Sequence, residues 1–217
     1  MGETRAGHAA TIGIRRADPS DGAHIPALIH AAGPEIYDYI FRDGAQKALD
    51  FIAAEFRTGA GLCGHRAVSA AVEDGVVVGV ACVFDAAEHN RLLRGTLQNI
   101  VTVYGMRRSW SVLARAQHVA PVITRPGPGE LCLCNLAVAP GKRGRGIGTA
   151  LLEHGIAVAR ARGHRRFVLD VAETNPRAAA LYARLGLRPE QSARCRDPRA
   201  AAHVPGSTRM ALTLAPR

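Results

Sequence analysis

The stretch Cys134-Asn135-Leu136-Ala137-Val138-Ala139-Pro140-Gly141-Lys142-Arg143-Gly144-Arg145-Gly146-Ile147-Gly148-Thr149 decides how the rest of the chain is read. It opens as an apolar strand, passes into a loop where Gly144, Gly146 and Gly148 alternate with Arg145 and Ile147, and enters a helical pattern near Thr149. Glycine reaches backbone conformations closed to other residues and leaves no Cβ in a ligand's way. The first N–H groups of a helix, at the positive end of its dipole, attract a phosphate. Lys142, Arg143 and Arg145 add charge beside them, so the stretch reads as an anion cradle.

Two familiar phosphate motifs do not fit. A P-loop needs a lysine and then Ser or Thr after its second glycine, but Gly146 is followed by Ile147 and Gly148. A dinucleotide fingerprint needs G-x-G-x-x-G, and these glycines are separated by single residues. What fits is Arg-Gly-x-Gly-x-Gly after a Leu-Ala-Val strand, with Asn175-Pro176-Arg177-Ala178-Ala179-Ala180-Leu181-Tyr182-Ala183-Arg184-Leu185-Gly186-Leu187 downstream. Together these blocks resemble the GNAT superfamily of acyl-CoA-dependent N-acyltransferases. The first resembles its pyrophosphate-binding motif. The second resembles its cofactor-side helix and following turn, with Leu187 where the family has Phe. The motif resemblance covers about residues 130 to 190.

The resemblance implies a mixed α/β fold: a mostly antiparallel central sheet flanked by helices. It also implies acetyl-CoA as co-substrate and an amine as acceptor. At 217 residues the chain suits one domain, taken as residues 11 to 217 behind a small, polar and flexible segment 1 to 10. The formal charge of +10 invites a nucleic-acid reading, but the arginines are dispersed and aromatics make up only 5%, leaving few stacking platforms. A basic surface equally suits a polyanionic co-substrate, and no nucleic-acid partner is expected. The five cysteines are odd in number and lack C-x-x-C spacing, so neither a disulfide framework nor a metal site is expected. The longest apolar run, near residues 75 to 84, is far short of the roughly 20 residues of a membrane span. With no signal-like apolar core at the N-terminus, the expectation is a cytoplasmic protein without a membrane partner.

In chain order, residues 11 to 16 alternate as a strand, and Asp18-Pro19-Ser20-Asp21 precedes a helix carrying Ile25, Leu28 and Ile29 that Gly33-Pro34 ends. Helical spacing returns through Ile36, Ile40 and Phe41, then Leu49, Ile52 and Phe56. Residues 67 to 72 and 76 to 84 read as a hairpin about an Asp-Gly turn. About 45 residues, 85 to 129, then separate the third strand from the fourth. Their apolar positions look helical, which makes them a helical insertion serving as lid, homodimer contact or packed elaboration. Residues 130 to 138 form the fourth strand, about 149 to 162 a helix, 167 to 171 a fifth strand and 209 to 214 a closing strand. The segment around Arg194 to Arg199 reads as irregular loop.

The resemblance also distributes roles. Arg143, Gly144, Arg145, Gly146, Ile147, Gly148 and Thr149 would offer backbone N–H groups to the cofactor phosphates. Leu136, Ala137 and Val138 would offer theirs to the pantetheine arm and thioester carbonyl, where the family's strand bulges and splays from its neighbour. Asn175 would contact the cofactor, and Tyr182, seven residues on and close to two helical turns away, would protonate the departing thiolate. The general base is open. Some family members place a Glu six residues before the motif Val, where this chain has Cys132, leaving Glu130 two residues earlier on the same strand face. Others place a carboxylate five residues before the motif Asn, which is Asp170; Glu173 is a third candidate. Tyr37, Asp38, Tyr39 and Asp43 fall where the family builds its acceptor wall. A non-catalytic acyl-CoA sensor and a nucleic-acid-binding module are the rival readings.

Overall fold

A computed structural model describes residues 12–43 and 47–215; the segment 1 to 10, read above as flexible, lies outside the described residues. The strands are β1 (Gly13–Arg16), β2 (Val68–Glu73), β3 (Val76–Phe84), β4 (Glu130–Val138), β5 (Arg166–Ala172), β6 (Arg188–Ala193) and β7 (Ser207–Thr213). They form one sheet in the order β1-β2-β3-β4-β5-β7-β6, antiparallel except where β4 meets β5. The helices are α1 (Ile25–Ala32), α2 (Pro34–Phe41), α3 (Ala48–Thr58), α4 (Ala86–Val119), α5 (Ile147–Ala161), α6 (Pro176–Arg184) and α7 (Pro198–Ala201). This is the expected mixed α/β architecture, with the long insertion helical and between β3 and β4.

Local chemistry explains most boundaries. Asp74 and Gly75 both take positive φ, 50° and 79°, as a two-residue hairpin turn with the strands' own twist requires. Helix α5 begins at Ile147, two residues earlier than expected, because Gly146 (φ 82°) is already its N-cap. At its far end Gly163 takes φ 73° and His164 N–H reaches back to the Ala159 carbonyl at 3.0 Å, closing the helix. The region taken as loop before the last strand contains β6 and α7 instead. Strand β6 is the exposed sheet edge, Arg188-Pro189-Glu190-Gln191-Ser192-Ala193, so it carries no apolar alternation, and Pro189 is tolerated there.

Two apolar layers cover the sheet. On one face Ile147, Leu151, Leu152, Ile156 and Ala159 of α5 pack on Leu131, Leu133, Phe167, Leu169 and Met210, with Tyr182 and Leu187 at the margin. On the other, Ile25, Leu28, Ile29, Ile52 and Phe56 pack on Val80, Cys82, Cys132, Val168 and Ala211. A third cluster joins α2, α3, α4 and α7 through the stacked rings of Phe41 and Phe51, 4.1 Å apart, with Tyr104, Val112 and Val119. The insertion therefore packs on the helices beside the sheet. It is interrupted at Gly105, whose φ of 70° and ψ of 165° are not helical.

Candidate active site

Strand β4 pairs with β5 only from Glu130↔Arg166 to Leu133↔Leu169; beyond that rung the two part. On its other side β4 stays paired with β3 as far as Gly79↔Val138, through an irregularity between Val80 and Cys82. Opposite that irregularity Asn135 adopts φ 52°, a conformation Asn tolerates better than most side-chain-bearing residues. On the β5 side the stretch from Leu136 to Val138 therefore faces a gap rather than a strand, while the other side of β4 keeps its pairing with β3.

The glycine loop follows directly. Gly144 and Gly146 have φ of 77° and 82°, and a Cβ added at either would meet nothing within 4 Å. Their need is conformational, and the space above them is open. No side chain caps α5, so the N–H groups of Ile147, Gly148 and Thr149 remain available to a ligand. A Cβ on Gly148 would meet Leu181 at 3.5 Å and Val138 at 3.8 Å, so loop, strand end and α6 converge here. The loop's charge differs from expectation. Lys142 and Arg145 both turn to the buried carboxylate of Glu73, with Arg145 Nη2 2.7 Å from Oε1. The Lys142 hydrogen bond holds Glu73 below the usual carboxylate range. Arg143, exposed, donates its Nε–H to the Val138 carbonyl at 3.1 Å and is the loop cation left facing outward.

On α6, Asn175 is the N-cap, its Oδ1 accepting from Ala178 N–H at 3.1 Å beside Pro176 in the first turn. Tyr182 is 7% exposed, in the cluster that holds Leu136, Val138 and Ile147. Burial pushes its phenol up to about 12, so it keeps its proton across the neutral range.

Strand alternation puts Asp170 on the opposite sheet face, one residue past the last β4–β5 rung and therefore at the mouth of the gap. Its Oδ2 accepts from Thr124 N–H at 2.9 Å, at the end of the insertion, and Arg209 Nη1 stands 3.9 Å from Oδ1. Burial raises its pKa above the ordinary carboxylate value. Glu130 lies at the closed end of β4, with Arg166 Nε at 3.0 Å, Arg209 Nη2 at 2.8 Å and Gly127 N–H at 2.8 Å. At about 3.3 Å per residue it is roughly 13 Å from the level of Cys134, where the gap begins. Glu173 pairs with Arg194 at 2.9 Å on the surface.

Of the four residues expected to form an acceptor wall, Tyr37 reaches the gap. Its hydroxyl donates to Asn135 Oδ1 at 2.8 Å and lies 3.5 Å from Cys63 Sγ. Asp38 pairs with His30 at 2.8 Å, Asp43 approaches Arg108 at 3.6 Å, and buried Tyr39 bonds His118 Nδ1 at 2.8 Å within the third cluster. Asn135, Glu73, Thr124 and Arg209 join the site only in the folded chain. An Asn inside an apolar strand was the one available signal; the other three act through partners distant in sequence. Among the described residues no group of three or more His, Cys, Asp or Glu is placed to hold a metal.

This geometry agrees with the comparisons to known proteins. The model of the acetyltransferase (GNAT) family matches residues 34–187, and the chain belongs to that family. The crystal structure of an acetyltransferase superposes with a TM-score of 0.67 at 20% identity, over 94% of this chain and 100% of the other. The structure of yncA from Salmonella typhimurium with its cofactor acetyl-CoA gives a TM-score of 0.53 at 18% identity over 96% of each chain. A mycothiol acetyltransferase from Beutenbergia cavernae is 48% identical over 54 residues, 25% of this chain and 18% of that protein. The match thus spans less than a fifth of that relative's length.

Proposed function

We propose that the protein transfers the acetyl group of acetyl-CoA directly to a primary amine, by the following division of labour. The observation that carries it is the parting of β4 from β5 after Leu133 and Leu169, with Asp170 on one sheet face and the Tyr182 cluster on the other. Acetyl-CoA supplies a thioester, an acyl group already activated toward an amine. The backbone N–H groups from Arg143 to Thr149 bind its phosphates, and Asn175 lies alongside. Those backbone donors of the stretch Leu136-Ala137-Val138 that face the gap line its arm and meet the charge that develops on the carbonyl oxygen, where each donor is worth roughly 2.7 to 4 kcal/mol. Tyr182, kept protonated by burial, gives its proton to the leaving sulfur.

Asp170 takes the amine proton at the mouth of the gap; its raised pKa makes it a better acceptor than an ordinary carboxylate. Glu130, held by two arginines and a backbone N–H, orients Arg209 behind Asp170 and does not meet substrate itself. The acceptor enters on the face of Tyr37. Five free cysteines suit a reducing, cytoplasmic compartment, and no helix among the described residues is long and apolar enough to cross a membrane. Self-association would use the exposed α4 residues Met106 and Trp110; sedimentation of wild type as a dimer and of Trp110→Glu as a monomer is the expected result.

Calorimetric titration with acetyl-CoA, against free CoA and ATP, followed by thiol release across a panel of amines, tests the whole reading. Binding with release for one amine class is expected. A folded protein that does not bind acetyl-CoA would overturn it.

A further inference from the structure

A strongly cationic concavity lies away from the glycine loop. It opens at the end of the sheet where β1 finishes, β2 begins and β3 finishes, between the start of α4 and the second half of α5, with a volume of about 550 Å³. Arg15, Arg16, Arg66, Arg91 and Arg162 all line it, against one lining carboxylate, Glu88. Glu88 is taken by Arg162 at 2.7 Å, and Arg15 is answered by Asp21 from outside the cavity at 2.7 Å. Among the described residues Arg16, Arg66 and Arg91 have no carboxylate within salt-bridge distance, so three of the five charges are uncompensated. Ile14, Leu92 and Val158 share the lining with them and supply an apolar floor in the site proposed below.

Like charges brought to one concavity repel, and low-dielectric walls strengthen the field inside it. A planar guanidinium fork matches phosphate oxygens two at a time. The volume falls within the roughly 300 to 1,000 Å³ of small-molecule sites, too small for a duplex and large enough for a short phosphate chain with an apolar or planar body. The cavity is also separate from the glycine loop. Along α5, Val158 is twelve residues beyond Gly146, about 18 Å at 1.5 Å per residue.

We propose that this cleft is a second anion site, for a small molecule carrying a pyrophosphate or triphosphate group. The phosphates sit on Arg16, Arg66 and Arg91, and the body of the ligand on the floor of Ile14, Leu92 and Val158. This assignment does not depend on the acetyl-transfer reading.

The test is calorimetric titration of the full chain with inorganic tripolyphosphate at 150 mM salt. Four variants are compared with wild type: Gly146→Asp, the double variants Arg66→Glu/Arg91→Glu and Arg66→Gln/Arg91→Gln, and a charge-matched control, Arg107→Glu/Arg188→Glu, on exposed arginines outside the cleft. One stoichiometric site is expected to survive in Gly146→Asp and in the control. It should weaken at least tenfold in both cleft variants while their circular dichroism and melting match wild type. The glutamine pair keeps the test interpretable if the glutamate pair does not fold. Unchanged binding in the cleft variants would overturn the proposal. So would equal weakening in the control, which would reduce the effect to the protein's overall positive charge, or the absence of a stoichiometric site. A single-stranded RNA that binds more tightly than tripolyphosphate and depends on the same arginines would replace the small ligand with a nucleic acid and also overturn it.

Discussion

The hydroxyl of Tyr37 donates a 2.8 Å hydrogen bond to Oδ1 of Asn135, the residue whose positive φ makes the bulge in β4. One is on α2 and the other is on the strand that lines the gap. The bond therefore ties the proposed acceptor wall to the backbone that would hold the thioester. Tyr37→Phe removes it and leaves Asn135 Oδ1 without that donor. A net loss of about 0.5 to 1.5 kcal/mol is typical of one hydrogen bond. The expected outcome is a fall in kcat of roughly twofold to tenfold with the KM for acetyl-CoA held, measured by steady-state thiol release. Equal kcat in the two proteins would remove Tyr37 from a positioning role.

Tyr182→Phe deletes the proposed acid while keeping the ring in its cluster. Turnover is expected to drop by about 10² to 10⁴, with acetyl-CoA affinity unchanged by calorimetry. The sign of the pH dependence follows from burial. A general acid must be protonated, and burial pushes this phenol up to about 12, so no activity should be lost to its ionisation through pH 10. An alkaline fall near pH 9 that disappears in the variant would refute the assignment.

At Gly146 the two possible changes separate conformation from charge. Alanine at φ 82° meets no neighbour but adopts a left-handed backbone, a cost of roughly 1 to 2 kcal/mol. Gly146→Ala should lower the melting temperature slightly and weaken acetyl-CoA binding. Gly146→Asp adds a carboxylate where phosphate should sit, and binding should fall below detection in a protein that still folds. Unaltered affinity in Gly146→Asp would move the cofactor elsewhere.

Glu73 clamps the loop by holding Lys142 and Arg145. Its folded-state pKa is depressed, chiefly by the Lys142 hydrogen bond. The stability it contributes is therefore present above its ordinary value of 4.5 and is lost as pH falls through the folded value. Glu73→Gln leaves two cations facing each other and should melt earlier than wild type at neutral pH. The difference should close as pH drops below about 4.5. Melting curves that stay equally far apart down to pH 3 would contradict the clamp.

What could be read from the sequence was local chemistry. The Asp74-Gly75 turn, Gly144 and Asn175-Pro176 each specify a backbone conformation through their own side chains or lack of them, and each lies where the sequence predicts. Three alternating glycines read as loop up to Thr149, whereas Gly146 is already the cap of α5 and Ile147 and Gly148 are helical. Strand β6 was invisible because an exposed edge needs no apolar pattern. The contacts on the Asp170 face of the sheet join residues far apart in the chain: Tyr37 to Asn135, Thr124 to Asp170, Arg209 to Glu130. Nothing in their neighbours' periodicity announces them. Glu130 shows the same limit: its strand position kept it as a candidate base, and only the two arginines and the backbone N–H around it show how fully it is engaged.

The interruption at Gly105 has a reach far beyond its own turn. Thirty-four residues of unbroken α-helix would make a rod about 51 Å long, longer than the sheet it accompanies and pointing away from it. The φ and ψ of Gly105, 70° and 165°, lie in a region of backbone space that is essentially closed to any residue with a side chain. A Cβ there would touch nothing within 4 Å, so the constraint is torsional. That one pair of torsions breaks the rod into two segments, and the second carries Val112 and Val119 into the cluster of Phe51 and leads to Thr124, whose N–H bonds Asp170. The direction in which the chain travels at residue 105 thus sets whether the carboxylate at residue 170 has its backbone donor.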